Sequence, residues 1–191
     1  MTTFRQSRTA VNLHTSFAAE TQARTRYNFF AVRARDEGYM QIAKIFDETA
    51  DQEYEHALRF FKFFNGGELG INWVFPTGVI EDTRSNLLSS AALERYVGNE
   101  MYLHFAKEAE EEGYERAADT FYNIIVSETH HETVFTELAQ NIEKSRVFEK
   151  EDESVWRCLS CGYLHTGTAA PKKCPACVKP TGYFELLYKN W

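Results

Sequence analysis

Glu53-Tyr54-Glu55-His56 recurs 75 positions later as Glu128-Thr129-His130-His131, so the chain carries one Glu-x-x-His spacing twice. On an α-helix an i, i+3 spacing puts both side chains on one face. The surroundings repeat in step: Glu37-Gly38-Tyr39, Ala43 and Phe46 return as Glu112-Gly113-Tyr114, Ala118 and Phe121. Such self-similarity marks an internal duplication, with two equivalent halves facing each other about a pseudo-twofold axis. One pair breaks the period. Glu20 stands 18 residues before Gly38, whereas Glu94 stands 19 before Gly113. A helix absorbs a single extra residue as a π-bulge, and a bulge is expected near Gly98 to Tyr102.

Working outward, the stretch from about Arg8 to Arg146 is rich in Ala, Glu, Arg, Phe and Leu, with apolar residues at three- and four-residue spacing. That periodicity predicts four amphipathic helices, over Thr9 to Glu37, Tyr39 to Asn65, Ser85 to Glu112 and Tyr114 to Lys144. Gly38 and Gly113 suit the left-handed conformation that ends one helix and lets the next fold back after a short turn. The stretch from Gly66 to Arg84 holds Gly66, Gly67, Gly70, Pro76 and Gly78, too broken for a helix and too long for a tight turn. Two helical hairpins joined by one long crossover is the connectivity of a ferritin-like four-helix bundle. The charged run Glu149 to Glu153 reads as a solvated linker, after which strand-and-turn vocabulary begins near Val155. The expected division is a bundle over 1–146, a linker over 147–154 and a small second domain over 155–191.

Composition narrows the function classes. The 191 residues include 43% hydrophobic and 15% aromatic side chains, enough apolar surface to fold and too much for a disordered chain. With 21 Lys+Arg against 28 Asp+Glu the net charge is -7, and no basic stripe offers a footprint for nucleic acid. No apolar run suits a membrane span or signal peptide, so a cytoplasmic location is expected.

Glu20 and Glu94 add one carboxylate from each of the first and third helices to the two Glu-x-x-His pairs. One Glu from each of two helices plus Glu-x-x-His from the other two is the ligand set of dimetal four-helix bundles. Four carboxylates in one interior cost on the order of several kcal/mol each if unpaired, and a pair of divalent ions would cancel their negative charge. Oxygen and imidazole donors without sulfur suit iron or manganese. Glu20, Glu53, His56, Glu94, Glu128 and His131 are therefore the candidate ligands. Tyr27, seven residues after Glu20, and Tyr102, eight after Glu94, are placed to donate hydrogen bonds to ligand carboxylates. His14, His104 and His165 lack a partner at ligand spacing and read as surface or packing residues, while His130, about 100° round the helix from His131, reads as a surface residue or a support to the ligands.

Cys158-x-x-Cys161 and Cys174-x-x-Cys177 form two knuckles twelve residues apart, the spacing of a tetrahedral four-sulfur metal site. Spacing alone leaves iron and zinc open. Trp156, Tyr163, Tyr183, Phe184 and Trp191 supply the aromatic bulk that so small a module needs beside its metal. Zinc would make it a structural staple, iron a one-electron relay.

Ala19-Glu20-Thr21-Gln22-Ala23, the two Glu-x-x-His pairs, Cys158-x-x-Cys161-Gly162-Tyr163, Cys174-Pro175-x-Cys177 and Phe184-Glu185-Leu186-Leu187 together resemble the rubrerythrins. The resemblance implies a mainly α protein: a ferritin-like diiron bundle followed by a small rubredoxin-like β/knuckle domain. It implies a non-haem peroxidase that reduces hydrogen peroxide to water in oxidative-stress defence, with two irons in the bundle and a third in the tetracysteine site. Zinc or manganese can substitute in a given preparation. Electrons would come from an external donor such as an NAD(P)H-dependent reductase or rubredoxin. The resemblance also implies a homodimer in which the rubredoxin-like domain of one subunit lies close to the diiron centre of the other. One departure matters: the family carries a further Glu three residues after the third-helix ligand, and this chain has Val97 there. That Glu lets one iron exchange carboxylate for histidine as its redox state changes. Six protein ligands are thus expected, with His56 held in both states, and oxidation of ferrous iron becomes the alternative activity.

Overall fold

A computed structural model describes residues 3–189, so Trp191 lies outside the described residues. Five α segments, α1 (Arg8–Asp36), α2 (Met40–Phe61), α3 (Thr83–Tyr96), α4 (Leu103–Glu111) and α5 (Glu115–Glu143), make the bundle. A π-helical stretch, Val97–Tyr102, joins α3 to α4, so these three form the third bundle helix. The extra residue between Glu94 and Gly113 is absorbed there. Gly98 lets the bulge pack close to α5, since a Cβ at this position would lie 3.1 Å from the Glu128 Cβ, a tight contact.

The two hairpin turns are copies of each other. Gly38 (φ 86°) and Gly113 (φ 78°) adopt the left-handed conformation. Each lets the next residue reach back: Tyr39 N–H donates to Ala34 O and Tyr114 N–H to Ala109 O, both at 2.8 Å. The glutamate before each glycine then caps the other hairpin. Glu37 accepts from the Thr83 N–H and hydroxyl at 2.9 and 2.5 Å, and Glu112 accepts from those of Thr9 at 2.8 and 2.7 Å. Both threonines open the first helix of a hairpin, where amide donors lack intrahelical partners and a negative charge is favoured.

The core follows the same symmetry. Tyr27, Phe46 and Phe135 pack at ring-centroid distances of 5.2 to 6.1 Å on one side of the bundle. Tyr102, Phe121 and Phe60, each 75 positions from a member of the first group, pack at 5.3 to 5.5 Å on the other. The two aromatic clusters flank the level of Glu53 and Glu128, leaving a polar layer between them.

The charged run Glu149 to Glu153, expected as a linker, is instead the first half of strand β1 (Glu149–Cys158). Its side chains are mostly exposed, as their charge requires, and β1 pairs antiparallel with β2 (Leu164–Ala169) at Glu149 and again from Ser154 to Arg157, with an irregularity in between. β3 (Phe184–Leu186) completes a three-stranded sheet of order β2-β1-β3 around Trp156, Cys158, Cys174 and Phe184. This tail docks at the Gly38 end of its own bundle. Phe148 stacks on Tyr39 at 6.0 Å, and Gly182 lies against the Gly38 carbonyl. A Cβ at position 182 would fall inside that oxygen. Gly182→Val is accordingly expected to undock the tail while leaving its tetracysteine site intact. A larger radius of gyration in small-angle scattering, with an unchanged metal spectrum, is the expected result.

Candidate metal centres

Four helices each project donors into the layer between the aromatic clusters. α1 supplies Glu20, α2 Glu53 and His56, α3 Glu94, and α5 Glu128 and His131. Glu53 and Glu128 are completely buried, and Glu20, Glu94 and His131 nearly so, while the His56 side chain remains 14% exposed. Their ligand atoms form two groups of four, Glu20–Glu53–His56–Glu128 and Glu53–Glu94–Glu128–His131, each lying within 4.8 Å. Glu53 and Glu128 belong to both.

The oxygen positions explain why. Glu53 sets Oε2 2.9 Å from His56 Nδ1 and Oε1 3.1 Å from His131 Nδ1. Glu128 does the converse, with Oε1 3.1 Å from His56 Nδ1 and Oε2 3.2 Å from His131 Nδ1. Each carboxylate thus spans the two histidines, as a bridge between two ions would, while Glu20 and Glu94 sit at opposite ends as terminal groups. Tyr27 and Tyr102, both fully buried, donate hydrogen bonds across the bundle: Tyr27 to Glu94 and Tyr102 to Glu20. The bulge brings Tyr102 to the place equivalent to Tyr27.

Protein groups alone leave this layer unsatisfied. Glu53 Oε1 and Glu128 Oε1 are buried and make no hydrogen bond of proper geometry. Burial, then the charges of Glu53 and Glu128, pushes the Glu20 and Glu94 carboxyls well above the usual range. Burial opposes charge on the histidines too, but bonds to Glu128 and Glu53 outweigh it and raise His56 to about 11 and His131 to about 9. Burial would raise Glu128, yet bonds from His131 and His56 bring it to about 2. Without cations, protons neutralise what the fold has buried. Hard carboxylate oxygens and two imidazoles, two oxygens being unpaired, fit a pair of divalent first-row metal ions.

Glu100 and His130 are exposed, and neither belongs to the two groups. His14 stacks on Phe17 at 6.0 Å and His104 approaches Glu108 at 3.7 Å. Val97 is buried and, with Ala23, Ala19 and Leu93, forms the apolar wall of a cavity of about 30 Å³. Glu20 and Glu94 line this cavity together with Gln22 and Arg26, and Phe75 and Pro76 of the crossover complete it. On the opposite side, His56 and His131 border a groove of about 1040 Å³ flanked by Lys44, Glu48, Asp51 and Glu55.

In the tail the four cysteine sulfurs converge. Cys158 Sγ lies 3.7 Å from Cys177 Sγ, and Cys161 Sγ 3.6 Å from Cys174 Sγ. A disulfide needs about 2.05 Å, whereas a tetrahedron built on metal–sulfur bonds of about 2.3 Å has edges near 3.8 Å. The cage fits one metal ion. The Lys179 amide and the neighbouring thiols help lower Cys177 to about 7.

Comparison with known proteins agrees with this geometry. A family model described as Rubrerythrin matches residues 12–139, and one described as Rubrerythrin, rubredoxin-like domain matches 156–185. A rubrerythrin of Nitratidesulfovibrio vulgaris is 52% identical over 191 residues, covering 100% of both chains. The chain belongs to the rubrerythrin family. A rubrerythrin of Porphyromonas gingivalis is 46% identical over 97% of this chain and 92% of its own. Among solved structures, mixed-valence nigerythrin aligns with a TM-score of 0.64 at 30% identity, over 94% of this chain and 86% of its own. A Desulfovibrio desulfuricans bacterioferritin aligns with a TM-score of 0.67 at 23% identity, over 74% of this chain and 84% of its own, a likeness of fold. The fold is thus mainly α and ferritin-like with a small tetracysteine sheet domain, and no helix among the described residues is long and apolar enough to cross a membrane.

Raised histidine values stabilise the metal-free protein fully below about 6.5, their ordinary pKa, and that contribution is lost as pH climbs through about 9 and 11. The raised carboxyls act in the same direction, since ionising them in the fold is harder than in the unfolded chain. The metal-free protein should therefore melt at progressively lower temperature from pH 6.5 to 10, and the metal-loaded protein should not. Calorimetric scans across that range, with proton release on metal binding as a second measurement, check this.

Proposed function

We propose that this chain is a non-haem diiron peroxidase that converts hydrogen peroxide, two protons and two electrons into two waters. The observation that carries the reading is the pair of four-donor groups sharing Glu53 and Glu128, joined in one chain to a tetracysteine cage. Iron held by the bundle donors would supply two-electron chemistry, and iron held by the four cysteines would supply one-electron relay. Glu20, Glu53, His56, Glu94, Glu128 and His131 would hold the pair, and Cys158, Cys161, Cys174 and Cys177 the single ion, with zinc or manganese as substitutes. The bundle over 1–146 and the tail, whose first strand begins at Glu149, divide the labour accordingly.

The residues around the site favour a small oxidant on the carboxylate side. The 30 Å³ cavity facing Glu20 and Glu94 has room for a molecule of peroxide's size; Ala19, Ala23, Leu93 and Val97 form its apolar wall, and beyond the two glutamates its polar lining is Gln22 and Arg26, which add no further carboxylate. Tyr27 and Tyr102, whose own pKa values burial raises well above normal, stay protonated and hold the terminal carboxylates in orientation. Electrons fit the opposite face. The groove over the histidines carries Glu48, Asp51 and Glu55, whereas exposed Lys172, Lys173 and Lys179 surround the second cysteine knuckle. In its own subunit the tail docks beside Gly38 and Tyr39, about 20 Å along α2 from Glu53. Charge and position together favour a homodimer in which each tail serves the partner's bundle, refilled by an NAD(P)H-dependent reductase or rubredoxin.

Anaerobic mixing of the fully reduced protein should show oxidation by peroxide far faster than by dioxygen, and equal or reversed rates would abandon the peroxidase reading. Cys174→Ser is expected to empty the cage and stop steady turnover, while one rapid oxidation of the pre-reduced bundle survives. Elemental analysis beside stopped-flow absorbance checks both halves of that statement.

Val97 supports a second reading, oxidation of ferrous iron as substrate. Val97 and Ala23 stand three residues after Glu94 and Glu20 respectively, so neither end of the site has a seventh carboxylate. His56 is then retained through the redox cycle. Repeated oxidation of added ferrous iron without an electron donor would favour this activity over peroxide reduction.

A further inference from the structure

The two histidines are not held alike, although the repeat gives them equivalent places. His131 turns Nδ1 toward the carboxylates, 3.1 Å from Glu53 Oε1 and 3.2 Å from Glu128 Oε2. A neutral imidazole that ligates through Nδ1 must carry its single proton on Nε2. In this chain Nε2 of His131 meets Oε1 of Gln52, from the facing helix α2, at 2.8 Å. The opposite amide orientation would set N–H against N–H, so the pairing fixes both groups. A hydrogen bond of this kind sets the tautomer and ring angle of a metal-ligating histidine and raises its basicity.

His56 has no such support. The residue 75 positions after Gln52 is Ser127, whose hydroxyl stands one atom beyond Cβ where the glutamine carbonyl oxygen stands three. Among the described residues Ser127 makes no side-chain hydrogen bond to His56, and the only partners of His56 are Glu53 and Glu128 through Nδ1. His56 is also the most exposed of the six donors and borders the same groove.

We propose that Gln52 is a positioning residue that locks His131 in its Nδ1-ligating tautomer, making the Glu53–Glu94–Glu128–His131 group the tighter metal site and leaving the His56 group the labile one. This rests on the reading of the bundle as a dimetal site, and it adds an order to loading and loss. The His131 site fills first, and the site beside the groove exchanges its ion. Gln52 itself is exposed, so replacing it removes no core packing.

The test is an anaerobic cobalt(II) titration of the full chain, with its cysteine cage already filled by iron and its bundle emptied, followed by visible absorption and calorimetry. The unaltered protein should bind in two resolved steps, and a crystal with one equivalent of cobalt should show anomalous scattering beside His131. Gln52→Leu should weaken the tighter step about tenfold or more, at an unchanged melting temperature of the metal-free protein. Gln52→Glu keeps an acceptor and should restore the affinity, and Ser127→Gln should tighten the weaker step. Two equal steps, a first ion beside His56, or a Gln52→Leu titration matching that of the unaltered protein would overturn the assignment while leaving the dimetal reading intact. Failure of cobalt to enter the bundle at all would overturn both.

Discussion

Four carboxylates buried in one layer of a helical bundle, with only two imidazoles to face them, is the constraint on which this structure depends. An unpaired buried charge costs several kcal/mol, a large share of the stability of a domain this size. The chain contains that cost within one thin layer. Aromatic clusters above and below exclude water, two tyrosine hydroxyls satisfy the terminal carboxylates, and two histidines sit between the bridging pair. What remains is two buried oxygens without partners. A fold evolved only for stability would have filled this layer with apolar side chains, so the arrangement makes sense as a cage for cations.

Duplication supplies the cage, and departures from duplication differentiate its halves. The π-helical stretch lets one helix carry an extra residue while keeping Glu94, just before it, and Tyr102, at its end, in register with their counterparts. It also brings Gly98 against Glu128, so the bulge sets how closely the third helix approaches that shared carboxylate. The Gln52/Ser127 difference acts at the same level, giving one histidine a fixed tautomer and the other an open edge. Symmetry brings the donors together, and broken symmetry distinguishes their tasks.

Much of this was readable in the sequence because the repeat is strict where chemistry and packing are strict. The Glu-x-x-His pairs, the turn glycines and the bulge all follow from counting positions, since helix geometry converts spacing directly into facing. The charged run Glu149 to Glu153 reads as a linker from its polarity. Its side chains are indeed mostly exposed, but an extended backbone that joins a sheet at Glu149 and from Ser154 onward leaves no mark in side-chain polarity. Gln52 was hidden for a different reason: its partner across the repeat is a serine, so a search for repeated residues passes over it. Direction across the bundle was also beyond reach, because spacing places Tyr27 on the face of Glu20 and only the packed helices show its hydroxyl meeting Glu94.

The exchanged caps, Glu37 on Thr83 and Glu112 on Thr9, carry a historical implication. Neither hairpin caps its own first helix with its own turn glutamate; each lends that residue to the other. An ancestor consisting of one hairpin would have made the same bond only by meeting a second copy of itself. Fusion of two such genes would then have changed an association that depended on dilution into one secured by covalent linkage, after which the halves were free to diverge.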